Sequence, residues 1–251
     1  MFSRRAVIIG FGAAAASGCA LARTPDVSLT GLEQAQESEF GVFAREVGGA
    51  ELLSNRADQR FAMCSTFKWL LGALILQDAE AGNLQLDRRL VISSDDLVFH
   101  SPVTRQHIGG EGLTVQHLCA TTIQTSDNTA ANLLLNQIGG PEGFTRRLRA
   151  LGDTVTRLDR LEPILNENAP GDPRDTTTPR AMAAHMDAFL FGSVLSSSSR
   201  DLLRSWMIEA DTGLDRLRAG FPQGWTSGDK TGTSSNRANN DVAFANPPTE
   251  H

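Results

Sequence analysis

Ser65 and Lys68 stand three residues apart at the head of an apolar run, CSTFKWLLGALIL, over residues 64–76. Residues at i and i+3 share one face of a helix. A serine hydroxyl becomes a nucleophile only beside a base, and a desolvated lysine can lose its proton and supply one, which arginine cannot. Ser65 also falls at the helix N-terminus, where free N–H groups and the helix dipole favour developing negative charge. The chain holds only two lysines among its 23 Lys and Arg residues. The second, Lys230, opens KTGT at 230–233. The plain alternative is a bias towards arginine that two lysines happened to survive.

Two further groups carry polar chemistry. SDN at 126–128 falls between two helical stretches, where a serine, an acid and an amide are equally what a helix N-cap uses. In KTGT the hydroxyls of Thr231 and Thr233, on an edge strand, could bind a carboxylate, with Gly232 letting a ligand approach closely. Each string is common enough to mean little alone.

The elements that must position these groups can be read from pattern. A polar helical stretch near 28–38 precedes GVFAREV and AELLSNRADQRFAM, two strands joined at Gly48-Gly49. From Ser65 to Ala81 the sequence is apolar on almost every face, which predicts a helix buried at the centre of a lobe and stopped at Gly82-Asn83. Helices are expected at about 114–124 with Thr114 as N-cap, 129–138, 142–151, 179–191 behind Thr178-Pro179, and 199–210. Strands follow through WTSGDKTGTSS and DVAFAN. Strands at both ends predict an α+β fold: an α/β lobe from 23–63 and 211–251, and an all-helical lobe from 64–210. Residues 160–178, RLEPILNENAPGDPRDTTT, form a long loop that Leu161, Ile164 and Leu165 should pack, with Arg160 and Asp175 paired across its neck.

Composition excludes several classes. A net charge of −6 leaves no footprint for nucleic acid. Five scattered histidines, with neither H-E-x-x-H nor paired cysteines, give no metal or cofactor site. Residues 1–22 carry Arg4 and Arg5, an apolar stretch and small residues, the pattern of a secretory signal too short to span a bilayer. Two processing patterns compete there: A-x-A at Ala20–Ala22, and lipid attachment at Cys19. The two arginines also fit, weakly, a twin-arginine signal. An exported chain without an integral membrane segment, periplasmic or secreted, is expected. Export would permit Cys64 and Cys119 to pair, although two cysteines make no framework.

Taken together and in order, STFK, SDN, EPILN and KTGT resemble the class A serine β-lactamases. SPVTRQH and SDNTAANLLL extend the likeness, which runs from about residue 40 onward, and RLEPILN through DTTTP resembles the family's Ω-loop. The resemblance implies a monomer of the β-lactamase/transpeptidase-like fold acting on a small-molecule β-lactam. It implies Ser65 as nucleophile, with Lys68, or Glu162 through a water, as acylation base. It further implies an oxyanion hole from the N–H groups of Ser65 and Thr233, and Ser126 as proton relay assisted by Lys230. Asn128 would hold the substrate amide, and Glu162 with Asn166 would activate the deacylating water. Thr231, Gly232 and Thr233 would meet the substrate carboxylate. Arg216, fourteen residues before Lys230, would stand behind them, since the alternative position carries Asn239.

Three departures qualify this. His100 stands where the family usually has an aromatic at the cleft wall, and the chain has no tyrosine. Cys64 precedes the nucleophile as in some carbapenem-hydrolysing relatives, but their partner cysteine is replaced near Ser234. The sequence ends soon after DVAFAN, where the family continues through a further strand, lying inside the sheet, and a C-terminal helix; this predicts unpaired strand edges. The competing readings are a penicillin-binding peptidase or β-lactam sensor, which lack the Glu162 feature, and an inactive truncated binding form.

Overall fold

The computed structural model of the chain describes residues 29–248. The expected signal segment and Cys19 lie outside the described residues. The fold is α+β, with helices gathered around one central helix and short antiparallel pairs at its margins.

The central helix is α2 (Phe67–Glu80), counting α1 as Leu29–Gln36. Every residue from Phe67 to Leu76 is buried, as an all-round apolar sequence requires. Helices α3 (Val115–Gln124), α4 (Asn128–Gln137), α5 (Gly140–Ala150) and α7 (Ser197–Ile208) pack against it. Thr114 caps α3 as expected, accepting the His117 N–H at 3.1 Å. The helix expected at 179–191 is instead α6 (Pro179–Met186) followed by a π turn, Asp187–Phe191. One wide turn keeps both Phe189 and Leu190 in the core before Gly192 ends the helix.

The first hairpin is β1 (Val42–Arg45) with β2 (Glu51–Asn55). The stretch expected to continue as a single strand breaks at Arg56, whose φ is +46°, and resumes as the two-residue β3 (Phe61–Ala62). The pairs β4 (Arg89–Leu90) with β5 (Leu113–Thr114), and β3 with β6 (Thr176–Thr177), are too short for alternation to announce them. The last pair, β7 (Thr226–Thr233) with β8 (Asn239–Asn246), matches the expected strands. These are four separate two-stranded sheets among the described residues.

Two ties position the site. Met63 N donates to Asp175 O at 2.9 Å, extending the β3–β6 pair to the residue before the Cys64–Thr66 turn. Across the neck of the 160–178 segment, Arg160 Nε meets Asp175 Oδ2 at 2.6 Å, the pairing expected from sequence. The buried Asp175 also accepts the N–H groups of Asp159 and Arg160 at 2.7 and 3.0 Å.

Candidate active site

Ser65 does not begin the α-helix. It lies in a 3-10 turn, Cys64–Thr66, that feeds straight into α2, so Lys68 follows one turn later in the buried part of that helix. The turn starts at Cys64 with φ +47°. His100 (φ +59°) and Ser126 (φ +60°) hold the same left-handed conformation, which costs non-glycine residues energy and which packing must enforce.

Lys68 is fully buried, and its Nζ lies 3.0 Å from Glu162 Oε1. It also donates to Ser126 O at 2.7 Å, to Ser126 Oγ at 3.4 Å and to Asn128 Oδ1. Burial pushes the Lys68 amine below its ordinary pKa, while the Glu162 carboxylate works against that shift. Ser65 Oγ donates to the same Glu162 oxygen at 3.2 Å. The other carboxylate oxygen, Oε2, accepts from Asn166 Nδ2 at 2.6 Å. Nucleophile, amine and carboxylate thus converge on one oxygen atom.

Lys230, equally buried, donates to Ser126 Oγ at 3.1 Å and to Thr231 O at 2.8 Å. Burial, and then the charge of Lys68, lower its pKa to about 7. Ser126 therefore stands between the only two lysines of the chain. Asp127, fully buried, holds this corner: it accepts the N–H groups of Val103, Thr104 and Ala130 at 3.1, 3.0 and 2.9 Å. The N-cap role and the site role of SDN coexist, on neighbouring residues. Asn128 gives one amide hydrogen to Phe99 O at 2.8 Å, and an amide NH2 has a second to offer the cleft.

Strand β7 ends at the turn that holds Ser65. A Cβ on Gly232 would stand 2.5 Å from Met63 O, 3.0 Å from Thr66 N and 3.1 Å from Ser65 N. This glycine admits the chain's own turn, and the close approach keeps the strand beside the Ser65 amide. Beyond it, Arg216 Nη2 donates to Thr233 Oγ1 at 2.8 Å, and Thr231 Oγ1 donates to Thr212 Oγ1 at 2.8 Å.

These groups edge a cleft of about 550 Å³ whose lining includes Ser65, His100, Ser126, Asn128, Asn166 and Arg216, together with Thr231 and Thr233. Lys68, Glu162, Lys230 and Gly232 stand behind that surface. Cys64 and Cys119 are free and buried, so they do not pair. Burial raises the Cys64 thiol to about 12, and its side chain meets Ser234, the position where a partner cysteine would be needed.

Sequence reasoning passed over Asn132. Its Nδ2 donates to Glu162 O at 2.9 Å, and its Oδ1 accepts Glu162 N at 3.0 Å, which anchors the loop carboxylate to α4. An amide residue one helical turn after Asn128, and so on the same helix face, was the available signal. Thr212 and the exposed Phe99 also line the cleft, without any motif to mark them.

A hydroxyl and an amine that both reach one carboxylate oxygen, beside backbone amides at a helix start, make an arrangement suited to acyl transfer. Known proteins point the same way. A model of the beta-lactamase enzyme family matches residues 25–251. Beta-lactamase L2 of Stenotrophomonas maltophilia is 45% identical over 98% of this chain and 87% of its own length. Beta-lactamase AST-1 of Nocardia asteroides is 45% identical over 89% of this chain and 72% of its own. Among solved structures, an ancestral class A beta-lactamase superposes with a TM-score of 0.78 at 52% identity, covering 81% of this chain and 78% of the other. A beta lactamase from Xanthomonas campestris pv. campestris gives 0.76 at 50% identity, covering 80% and 75%. The chain belongs to the beta-lactamase enzyme family, a family of hydrolases.

Proposed function

We propose that the protein hydrolyses the β-lactam amide of penicillins and cephalosporins through an acyl-enzyme on Ser65, and so confers resistance to them. The observation that carries this reading is the convergence on Glu162 Oε1, 3.2 Å from Ser65 Oγ and 3.0 Å from Lys68 Nζ. In acylation, Ser65 attacks the lactam carbonyl, and its proton passes to Lys68 or Glu162. The forming oxyanion is held by the N–H groups of Ser65 and Thr233. Ser126 returns a proton to the departing lactam nitrogen, and Lys230, 3.1 Å from its hydroxyl, favours the charge that passes there. Asn128 binds the substrate side-chain amide. Thr231, Thr233 and Arg216 take the substrate carboxylate, beside the wall formed at His100.

Deacylation needs a base that survives acylation. Glu162 supplies it, and Asn166 is suited to orient the attacking water: its Nδ2 is committed to Glu162, whereas its buried Oδ1 has no partner among the described residues and can accept from water. This carboxylate is what separates a hydrolase from a peptidase or sensor that stays acylated. No helix among the described residues is long and apolar enough to cross a membrane. We place the mature chain outside the cytoplasm as a monomer, with residues 1–22 as its export signal, or anchored by lipid at Cys19.

Mixing the purified chain with excess chromogenic cephalosporin tests the reading. Sustained ring opening, lost in Glu162→Ala, is the expected result. A single stoichiometric burst from the wild type would instead identify an acyl-trapping peptidase or sensor.

A further inference from the structure

Two buried acids lie outside the chemistry described so far. Asp229 precedes Lys230 on β7, and Asp241 pairs with Thr231 from β8, which sets both carboxyls on the same face of the two-stranded sheet. Neither side chain is appreciably exposed. Asp229 Oδ1 accepts from Arg218 Nη1 at 3.3 Å, and Asp241 Oδ2 accepts the Leu217 N–H at 3.0 Å. Their remaining oxygens, Asp229 Oδ2 and Asp241 Oδ1, are buried with no donor among the described residues. The two carboxyl groups are nevertheless within hydrogen-bonding reach of each other. Two acceptors in contact are satisfied only if a proton lies between them. Burial raises both acids, and Asp241 reaches about 7, raised further by the charge of Asp229. The cations facing the pair are Arg218 and Arg216 from the covering segment and Lys230 from β7.

The acids sit under a strap, residues 212–218, laid across the sheet face. A Cβ on Gly213 would fall 1.6 Å from Asp229 Oδ2, so this glycine is what lets the strap close on the pair. Thr212 joins Thr231, Leu217 N–H joins Asp241, and Arg218 joins Asp229. Between these fastenings stands Arg216, whose guanidinium donates to Asn240 O at 2.9 Å and to Thr233 Oγ1 at 2.8 Å, at the cleft.

We propose that Asp241, sharing one proton with Asp229, is a positioning residue for Arg216: the acid pair fixes the strap and so aligns the guanidinium with the substrate carboxylate. The proposal rests on the hydrolase reading for its kinetic test, and on no activity for its spectroscopic one. Asp241→Asn keeps an acceptor for Leu217 N–H and offers Asp229 a donor, so it should preserve the alignment, whereas Asp241→Ala removes both.

The experiment compares wild type, D241N, D241A, R216A and D241A/R216A on a chromogenic cephalosporin and on its methyl ester, which lacks the carboxylate. D241A should raise KM for the acid about tenfold with kcat little changed, while leaving the ester unaffected. D241N should stay within about twofold of wild type, and the double variant should be no worse than R216A alone. Equal losses on acid and ester, or additive losses in the double variant, would overturn the proposal. Infrared difference spectra of wild type against D241N at neutral pH should show the carbonyl stretch of a protonated carboxylic acid in the wild type only. Its absence there overturns the shared proton even if D241A does not fold. A wild type that turns nothing over would defeat the hydrolase reading and leave the spectral result standing.

Discussion

At the scale of single residues, the site depends on burying two amines and giving each a defined set of partners. Glu162 is the residue whose loss should divide the reaction. Without it acylation can still proceed through Lys68, so Glu162→Ala should accumulate a covalent adduct, visible by mass spectrometry, while kcat falls by about 10³. Lys230 makes a pH prediction. Its pKa in the folded chain is about 7, against 10.5 ordinarily. Between those values the unfolded chain binds one proton more than the folded chain, so stability rises with pH across that window and the burial cost is fully present below it. Lys230→Met should flatten the slope, because it removes the buried amine and, with it, the repulsion that amine exerts on Lys68; denaturant titrations at pH 6.5 and pH 9 would measure the difference. The residue scale was the most legible in sequence. Both lysines, both serines and Glu162 were marked by short strings whose order along the chain said more than any string alone. Asn132 was not, because it acts through its backbone partner at Glu162 and belongs to no reactive set.

At the scale of elements, two junctions decide the geometry. The first is the contact of β7 with the turn before α2, where Gly232 faces backbone atoms that cannot swing aside. Gly232→Ala should push the strand from the turn, separate the Ser65 and Thr233 amides, and lower kcat by about 10² with KM much less changed. Steady-state kinetics on a folded variant, its secondary structure checked by circular dichroism, would measure this. The second junction is the neck of the 160–178 segment. Asp175 is buried and accepts three donors from residues 159 and 160. Asp175→Ala leaves the Arg160 guanidinium without its closest carboxylate, and should cost about 3 kcal/mol of stability. It should also slow deacylation more than acylation, because Glu162 hangs from this loop; pre-steady-state kinetics separate the two steps. The helices were readable from apolar periodicity and caps. The two-residue pairs β3–β6 and β4–β5 were not, since a pair that short leaves no pattern and forms only because its neighbours are already in place.

At the scale of the whole molecule, α2 is the common wall, with helices packed on its sides and β7 and β8 against the turn at its head. Stability at low pH draws on a group far from the cleft. Asp153 accepts His185 Nε2 at 2.7 Å as well as the N–H groups of Val155 and Thr156. Although burial opposes it, these hydrogen bonds, that of His185 foremost, hold the Asp153 carboxyl far below the usual carboxylate range. A depressed carboxylate stabilises the fold above its unfolded pKa and loses that contribution as pH falls further. Asp153→Asn should therefore lower the melting temperature at pH 7 and reduce its fall below pH 4, which differential scanning calorimetry would follow.

The family resemblance, the α+β class, the central buried helix and the residue types of the site are all written in the linear chain, because they follow from local strings and from periodicity along it. It took the folded chain to show that Ser65 Oγ and Lys68 Nζ share one oxygen of Glu162, that Gly232 makes room for the chain's own turn, and that Asp229 and Asp241 lie on one sheet face beneath Arg216. The physical reason is that hydrogen bonds and shared protons depend on separations of a few ångströms between atoms brought together from distant parts of the chain. No local pattern encodes such a distance, and the packing around α2 and the β7–β8 pair fixes it.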